Sequence, residues 1–388
     1  MKFLLIYVPN LRFKDFSLPW HKTAIIDLLS FQNGINGTPE QYGKGIKYIS
    51  VGDILNNDYI TYDKIVGSID ISQETLKNYS VTYGDILFQR SSEIKEDIGR
   101  TNVYLDKDNK ATFGGFVIRG KKIGDYNPAF FNVLLKSPSS RKSIVRLGAG
   151  AQHYNIGQEN IKTLSFYFPD EEEQAKIANL FSKIDKRIQT QIKIIDTLLS
   201  EMNSIRSLIF NKSSLKWIPL KDIVAEQDIK LKRGKVIPKH KKNLKYIYPV
   251  YSSSITNSGL MGYSDSYMFN QELITWSIDG GGNFFYRKKH KFNITNVSGY
   301  MILNENLFNY QFIVQSLIWQ HEKLKFDYQT KAHPSVVESL YKIPIMDLEE
   351  QHKYACLFSN LNEKYELELH ILDLLNMQKK YLLKNMFV

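Results

Sequence analysis

PDEEEQAKIANLFSKIDKRIQTQIKIIDTLLSEMNSIRSLIFNK, residues 169–212, is the stretch from which the architecture can be read. Pro169, Asp170 and three glutamates open it, and anions suit the exposed N–H groups of a helix start. No glycine and no further proline interrupts it. Apolar residues recur in two rows seven positions apart: Phe181, Ile188, Ile195, Met202, Ile209, and Ile177, Ile184, Gln191, Leu198, Ile205. This heptad pattern, polar only at Gln191, predicts a long helix that needs a partner helix to cover its seam.

The partner lies in the same chain. Shifted by 177 residues, the C-terminal stretch MDLEEQHKYACLFSNLNEKYELELHILDLLNMQKKYLLKNMFV places Gln351 on Gln174, Ala355 on Ala178, Phe358 on Phe181, Ser359 on Ser182, Asp373 on Asp196 and Phe387 on Phe210. Two helical patterns readily share apolar rows, but not identical Gln, Ser and Asp positions at one offset, so the chain carries an internal duplication. Glu368 takes the place of Gln191; the two either set helix register or lie exposed where the seam opens onto a partner.

The order of elements upstream of each helix repeats as well. A first globular stretch, residues 18–165 after an arm of residues 1–17, offers strands in GIKYISVGDI (45–54, closed by Gly-Asp), YGDILFQRSS (83–92) and FGGFVIRG (113–120). NPAFFNVLLK (127–136) reads as a short helix with proline at its start, and the loop LGAGAQHYN (147–155) leads to the long helix, residues 166–213. A second globular stretch, 214–345, answers with Trp217 for Trp20, LKYIYPVYSSS (244–254), NQELITWSIDGGGN (270–283), NVSGYMIL (296–303, Gly299 standing for Gly115), the helix LFNYQFIVQSLIW (307–319) and the loop around Gln329. A second long helix, 346–388, follows. The fold class is α+β: two mixed α/β domains, each followed by a long helix, the helices pairing as an antiparallel coiled coil with pseudo-two-fold symmetry.

At 388 residues the chain can build two cores. Its formal charge is +11, but residues 166–213 carry seven acids and seven Lys/Arg, and residues 346–388 seven and five; the helices are thus near neutral and +13 falls on the rest. Basic globular stretches point to a polyanion. The single cysteine, Cys356, excludes a disulfide framework or a cysteine-ligated zinc, and the scattered histidines show no metal-ligand spacing. The apolar run 3–8 is too short to span a membrane and reads as an arm or first strand, so the chain is expected to be cytoplasmic, with no membrane partner.

The opening VPNLRFKDFSLPW, the GDILF strand, the Gln-x-x-x-Ile loop at Gln152–Ile156, the E-E-Q start of each long helix and the doubled layout together resemble the specificity subunit of type I restriction–modification enzymes, over essentially the full length. The resemblance implies two target-recognition domains, each reading one half of a bipartite sequence in double-stranded DNA. It implies helices that set the spacer and dock two methyltransferase subunits, with restriction/translocase subunits joining that core. The chain itself would be non-catalytic and bind no cofactor, S-adenosylmethionine, ATP and Mg belonging to the partner subunits. A rigid spacer would make half-site separation follow the heptad count. The alternative is a stand-alone DNA-binding or scaffold protein with the same fold.

Base reading needs polar side chains on loops, backed by cations on phosphates. Candidates in the first domain are Gln89, Arg90, Ser91 and Ser92, with Gln152 and His153. In the second they are Tyr251, Ser252, Ser253, Trp276, Ser277, Asp279, Arg287 and Lys331, with Gly280–Gly282 allowing close backbone approach. Each loop also fits a merely solvated strand end. KLKRGKVIPKHKKNLK (230–245) holds eight Lys/Arg and no acid; Lys239, Lys241 and Lys242 are its phosphate-contact candidates, against a solvated loop. Asn127-Pro128-Ala129-Phe130 approaches the base-holding loop of adenine methyltransferases, but lacks the second proline and a cofactor turn, and reads as a helix start. No G-x-x-x-x-G-K-[ST] loop is present.

Overall fold

The computed structural model describes residues 8–254, 256–279, 281–324 and 331–387. Most of the apolar run 3–8, Gly280 and Gln329 lie outside them. The chain forms two compact units: one takes the residues up to Gln191 together with those from Ile371 onward, the other Ile192–His370. Each unit therefore contains part of both long helices.

In the first unit β1 (His21–Ala24), β2 (Leu29–Asn33), β3 (Tyr42–Ile49), β4 (Ser68–Ile69), β5 (Ile86–Gln89), β6 (Ser91–Ser92), β7 (Thr101–Val103), β8 (Thr112–Phe113), β9 (Val117–Lys122), β10 (Tyr154–Asn155) and β11 (Ser165–Phe168) follow in order. They build the sheets β2-β9-β5-β7 and β4-β3-β8 and the pairs β1-β11 and β6-β10. The long helix spans Glu171–Phe210, inside the expected segment 166–213. Ser165–Phe168 is a strand, because Phe166 and Phe168 alternate inward and Pro169 ends the run. Gly52-Asp53 does not close a strand either: Ser50 Oγ accepts from Asp53 N while Asp53 Oδ2 accepts from Ser50 N (2.7 Å), a capping box that starts the helix Val51–Asn56.

Asn127 is the N-cap of the helix Pro128–Lys136, its Oδ1 accepting from Phe130 N at 3.1 Å. Its backbone N–H donates to Gln174 Oε1 (2.9 Å), and Gln174 Nε2 donates to Pro169 O (3.0 Å). The second unit repeats this: Asn309 caps Tyr310–His321, donates to Gln351 Oε1 (2.9 Å), and Gln351 Nε2 donates to Leu307 O and Met346 O. The glutamines that matched at one offset thus do one job, tying the short helix to the start of the long one.

Strands of the second unit are β12 (Lys216–Pro219), β13 (Ile229–Arg233), β14 (Tyr248–Tyr251), β15 (Leu260–Ser264), β16 (Phe269–Ser277), β17 (Phe284–Ile294), β18 (Ser298–Leu303) and β19 (Lys342–Ile345). β12 pairs with β19 as β1 does with β11, and the sheet β13-β18-β16-β17-β14-β15 reproduces the order β2-β9-β5-β7. A parallel strand pairing recurs too, Ile49 with Phe113 and Tyr251 with Ile294. Gly34 N donates to Val117 O, and Gly234 N to Ser298 O. That register puts Gly299 in the place of Ile118 rather than Gly115. Gly299 is needed for another reason: a Cβ there would lie 2.1 Å from the Trp276 ring.

The cores repeat as well. Trp20 meets Phe130 and Phe387 at ring-centroid distances of 6.0 and 6.1 Å; Trp217 meets Phe210 at 6.1 Å, and Phe210 meets Phe312 at 5.5 Å. In the first unit Phe181 faces Phe387 and Asp185 pairs with Lys379 (2.6 Å), so its two helical segments run antiparallel. Gln191 is buried and Glu368 half-buried, so neither is an exposed break.

Lys136 lines a cavity of about 430 Å³ with Asp58, Asp185 and Lys379, its Nζ donating to Asp58 O at 2.7 Å. Burial, then the charge of Lys379, hold its pKa down at about 8 against the pull of Asp58 and Asp185. Between about pH 8 and the ordinary lysine value of 10.5 the unfolded chain binds the extra proton, so stability rises with pH across that window. Lys136→Met is expected to abolish this rise, up to about 3 kcal/mol, in denaturation at the two ends of the window. An unchanged pH dependence would refute it.

Candidate nucleic-acid interface

One end of the sheet in each unit gathers the loops. In the first unit β2 ends at Asn33, β5 at Gln89, and β9 begins at Val117, with Asn33 and Gln89 flanking one another across β9. The pairing Tyr154↔Ser92 and Asn155↔Ser91 brings the loop before the long helix to the same end, secured by Ser91 Oγ donating to Asn155 Oδ1 (2.6 Å). Candidates some sixty residues apart thus meet: Gln89, Ser91, Ser92 and His153 line a hollow of about 420 Å³. Arg90, Gln152 and His153 are exposed, Ser91 and Ser92 half-buried.

Gln89 departs from expectation. It is only 4% exposed, and its Nε2 donates to Ser91 O at 2.8 Å. Buried in this way, with one amide N–H committed to the loop, Gln89 presents no open face to a base; it holds Ser91 in place.

The equivalent end of the second unit holds Arg233, Ser252, Ser253, Ser277, Asp279 and Asn296. Four candidates there are structural. Trp276 is 1% exposed and its Nε1 donates to Ala332 O at 2.7 Å, so no base can stack on it. Ser277 is fully buried, its Oγ donating to Ser253 O (2.8 Å), and buried Ser252 Oγ accepts from Thr295 Oγ1 (3.0 Å). Arg287 donates from Nε to Thr275 Oγ1 (2.9 Å) and from Nη2 to Ser258 O (2.7 Å), with its guanidinium 3.8 Å from the Tyr251 ring centroid. Burial pushes its pKa down to about 10. These groups brace the loops, because the last five residues of β16, Leu273–Ser277, are buried on both faces of the strand. Tyr251 and Ser253 are half-buried, the Tyr251 hydroxyl 3.2 Å from His290 Nε2. Asp279 and Lys331 are exposed and paired at 3.2 Å.

The basic run leaves this end. Arg233 donates to Asn296 O, then the backbone pair His240↔Tyr263 lays the segment along β15, with the His240 ring stacked 3.9 Å from Tyr246. Lys239, Lys241 and Lys242 stay exposed. Their triple alanine replacement is expected to lower the slope of log affinity for DNA against log salt by about 2–3, without changing sequence preference. An equal slope would leave the run a solvated loop.

Sequence reading missed Phe116, 66% exposed beside Arg90. FGGFVIRG looked like one strand, whereas Val117 N donating to Gly114 O makes a turn that throws Phe116 outward. Among the described residues no His/Cys/Asp/Glu cluster could hold a metal ion, and no helix is long and apolar enough to cross a membrane.

Residues 22–199 and 216–377 match the family model of the type I restriction modification DNA specificity domain. A Mycoplasma pneumoniae protein named as a type I specificity subunit is 33% identical over 137 residues, 33% of this chain and 41% of that relative. A second from that organism is 27% identical over 204 residues, 50% of this chain and 82% of its own. The HindI specificity subunit of Haemophilus influenzae is 27% identical over 159 residues, 39% of this chain and 33% of its own. The chain therefore aligns with less than half the length of the first and third. The solved S subunit of a type I restriction–modification system from M. genitalium shares the fold, with TM-score 0.65 and 19% identity, over 98% of this chain and 99% of that one. Matched twice and over most of its length, the chain belongs to the type I restriction–modification DNA specificity domain family.

Proposed function

We propose that the chain is the DNA-specificity subunit of a type I restriction–modification complex. Each unit reads one half of a bipartite sequence in double-stranded DNA. The long helices hold the two readings at a set spacing and dock two methyltransferase subunits, which restriction/translocase subunits join. The chain is non-catalytic: S-adenosylmethionine, ATP and Mg act on the partner subunits, which flip and methylate the target adenines. The observation that carries this reading is the duplication of one sheet end: the same register gathers loops in both units, while the loops themselves differ in sequence. A duplicated scaffold with divergent loops suits two different half-sites, and the +13 outside the helices suits phosphates.

A long-read methylation map of the host, with this gene intact and deleted, tests the proposal. Loss of one bipartite adenine-methylation motif is expected. An unchanged map, with the chain and a methyltransferase partner both expressed, would overturn it and favour a stand-alone DNA-binding protein.

A further inference from the structure

Phe116 stands outside the hydrophobic cores of its unit, yet it is held rigidly. Val117 N donates to Gly114 O (2.8 Å), Arg90 N donates to Phe116 O (2.9 Å), and Arg90 Nη1 to Gly115 O (3.3 Å). The turn is packed from beneath: a Cβ on Gly114 would lie 2.4 Å from the Tyr48 hydroxyl, and one on Gly115 2.3 Å from Asn36 Oδ1. Exposed Arg90 is bonded to the same turn, so the aromatic is displayed beside a candidate cation. At the equivalent register in the second unit, where Ile278 N donates to the carbonyl as Arg90 N does here, stands Val297, again apolar.

We infer that Phe116 reads a thymine through its C5-methyl group in the half-site bound by the first unit. The inference rests on the proposed function. A phenyl ring has no donor or acceptor and cannot read a hydrogen-bonding pattern; the apolar feature that a base edge offers in the major groove is the thymine methyl. Arg90, bonded to the same turn, places a guanidinium next to it, the group best suited to guanine O6 and N7. Phe116 sets specificity and does not catalyse.

The test uses the chain in complex with its methyltransferase subunits, on a duplex carrying the motif found by methylation mapping. Thymines of both half-sites are replaced one at a time by deoxyuridine, which lacks only the methyl group. One replacement is expected to weaken binding about fourfold, the effect of one buried methyl. Phe116→Ala is expected to bind the thymine duplex about tenfold more weakly and to lose the distinction between thymine and uracil, while Phe116→Leu keeps it. Equal affinity for every deoxyuridine duplex, a motif without thymine, or a uracil penalty that persists in Phe116→Ala would each overturn the inference. So would a lowered melting temperature of Phe116→Ala, since the ring would then serve the fold. A missing motif defeats the functional reading first, a result distinct from all of these.

Discussion

Glu173→Ala lowers the stability of the first unit by about 3–5 kcal/mol, the cost of leaving a buried charge without its partner. Glu173 is fully buried at the start of the first long helix. Arg12 Nε and Nη2 donate to its two carboxylate oxygens at 2.8 and 2.7 Å, and Trp20 Nε1 donates at 3.3 Å. The Arg12 side chain is only 9% exposed, and the bond to Glu173 raises its pKa further. Alanine would strand the guanidinium and an indole N–H together. The pair fastens the segment before β1 to the helix, with Leu11 N donating to Asn385 O as a second fixing point. Urea denaturation of the full chain measures the loss; a change below about 1 kcal/mol would mean that Arg12 finds water instead.

Trp276→Ala carries the other large effect, about 3–5 kcal/mol from the second unit. The ring packs closely against Gly299, its centroid 6.1 Å from that of Phe284, and its N–H is spent on Ala332 O. Removing it opens a large cavity and orphans a buried carbonyl. Thermal denaturation separates this from a base-stacking role. If the variant kept wild-type stability and lost only DNA affinity, Trp276 would be a reading residue after all.

Trp276 also marks where sequence reasoning stops. An aromatic followed by Ser-x-Asp and glycines looks the same whether the ring faces a base or a core, because period-two alternation gives two faces without saying which is buried. The same ambiguity misplaced Arg287, Ser277 and Ser252, whose polar atoms are consumed inside the second unit, and Gln89 in the first. Phe116 was missed in the opposite sense: it was read only as part of a strand, and the turn closed by Val117 N on Gly114 O puts it outside. The strand Ser165–Phe168 was masked by the heptads that follow it.

The amino-acid sequence by itself determined the doubled plan. Gln174 and Gln351 are legible because one local geometry, short-helix start against long-helix start, demands the same residue twice, and a fixed offset exposes the demand. Trp20 and Trp217, and Phe387 and Phe210 at the long-helix ends, recur because one aromatic contact is built twice. Only the tertiary structure decided which loops share a surface. Ser91 and Asn155 are distant in sequence and meet because β6 and β10 pair. Burial is a property of the packed neighbours, and no residue carries it alone.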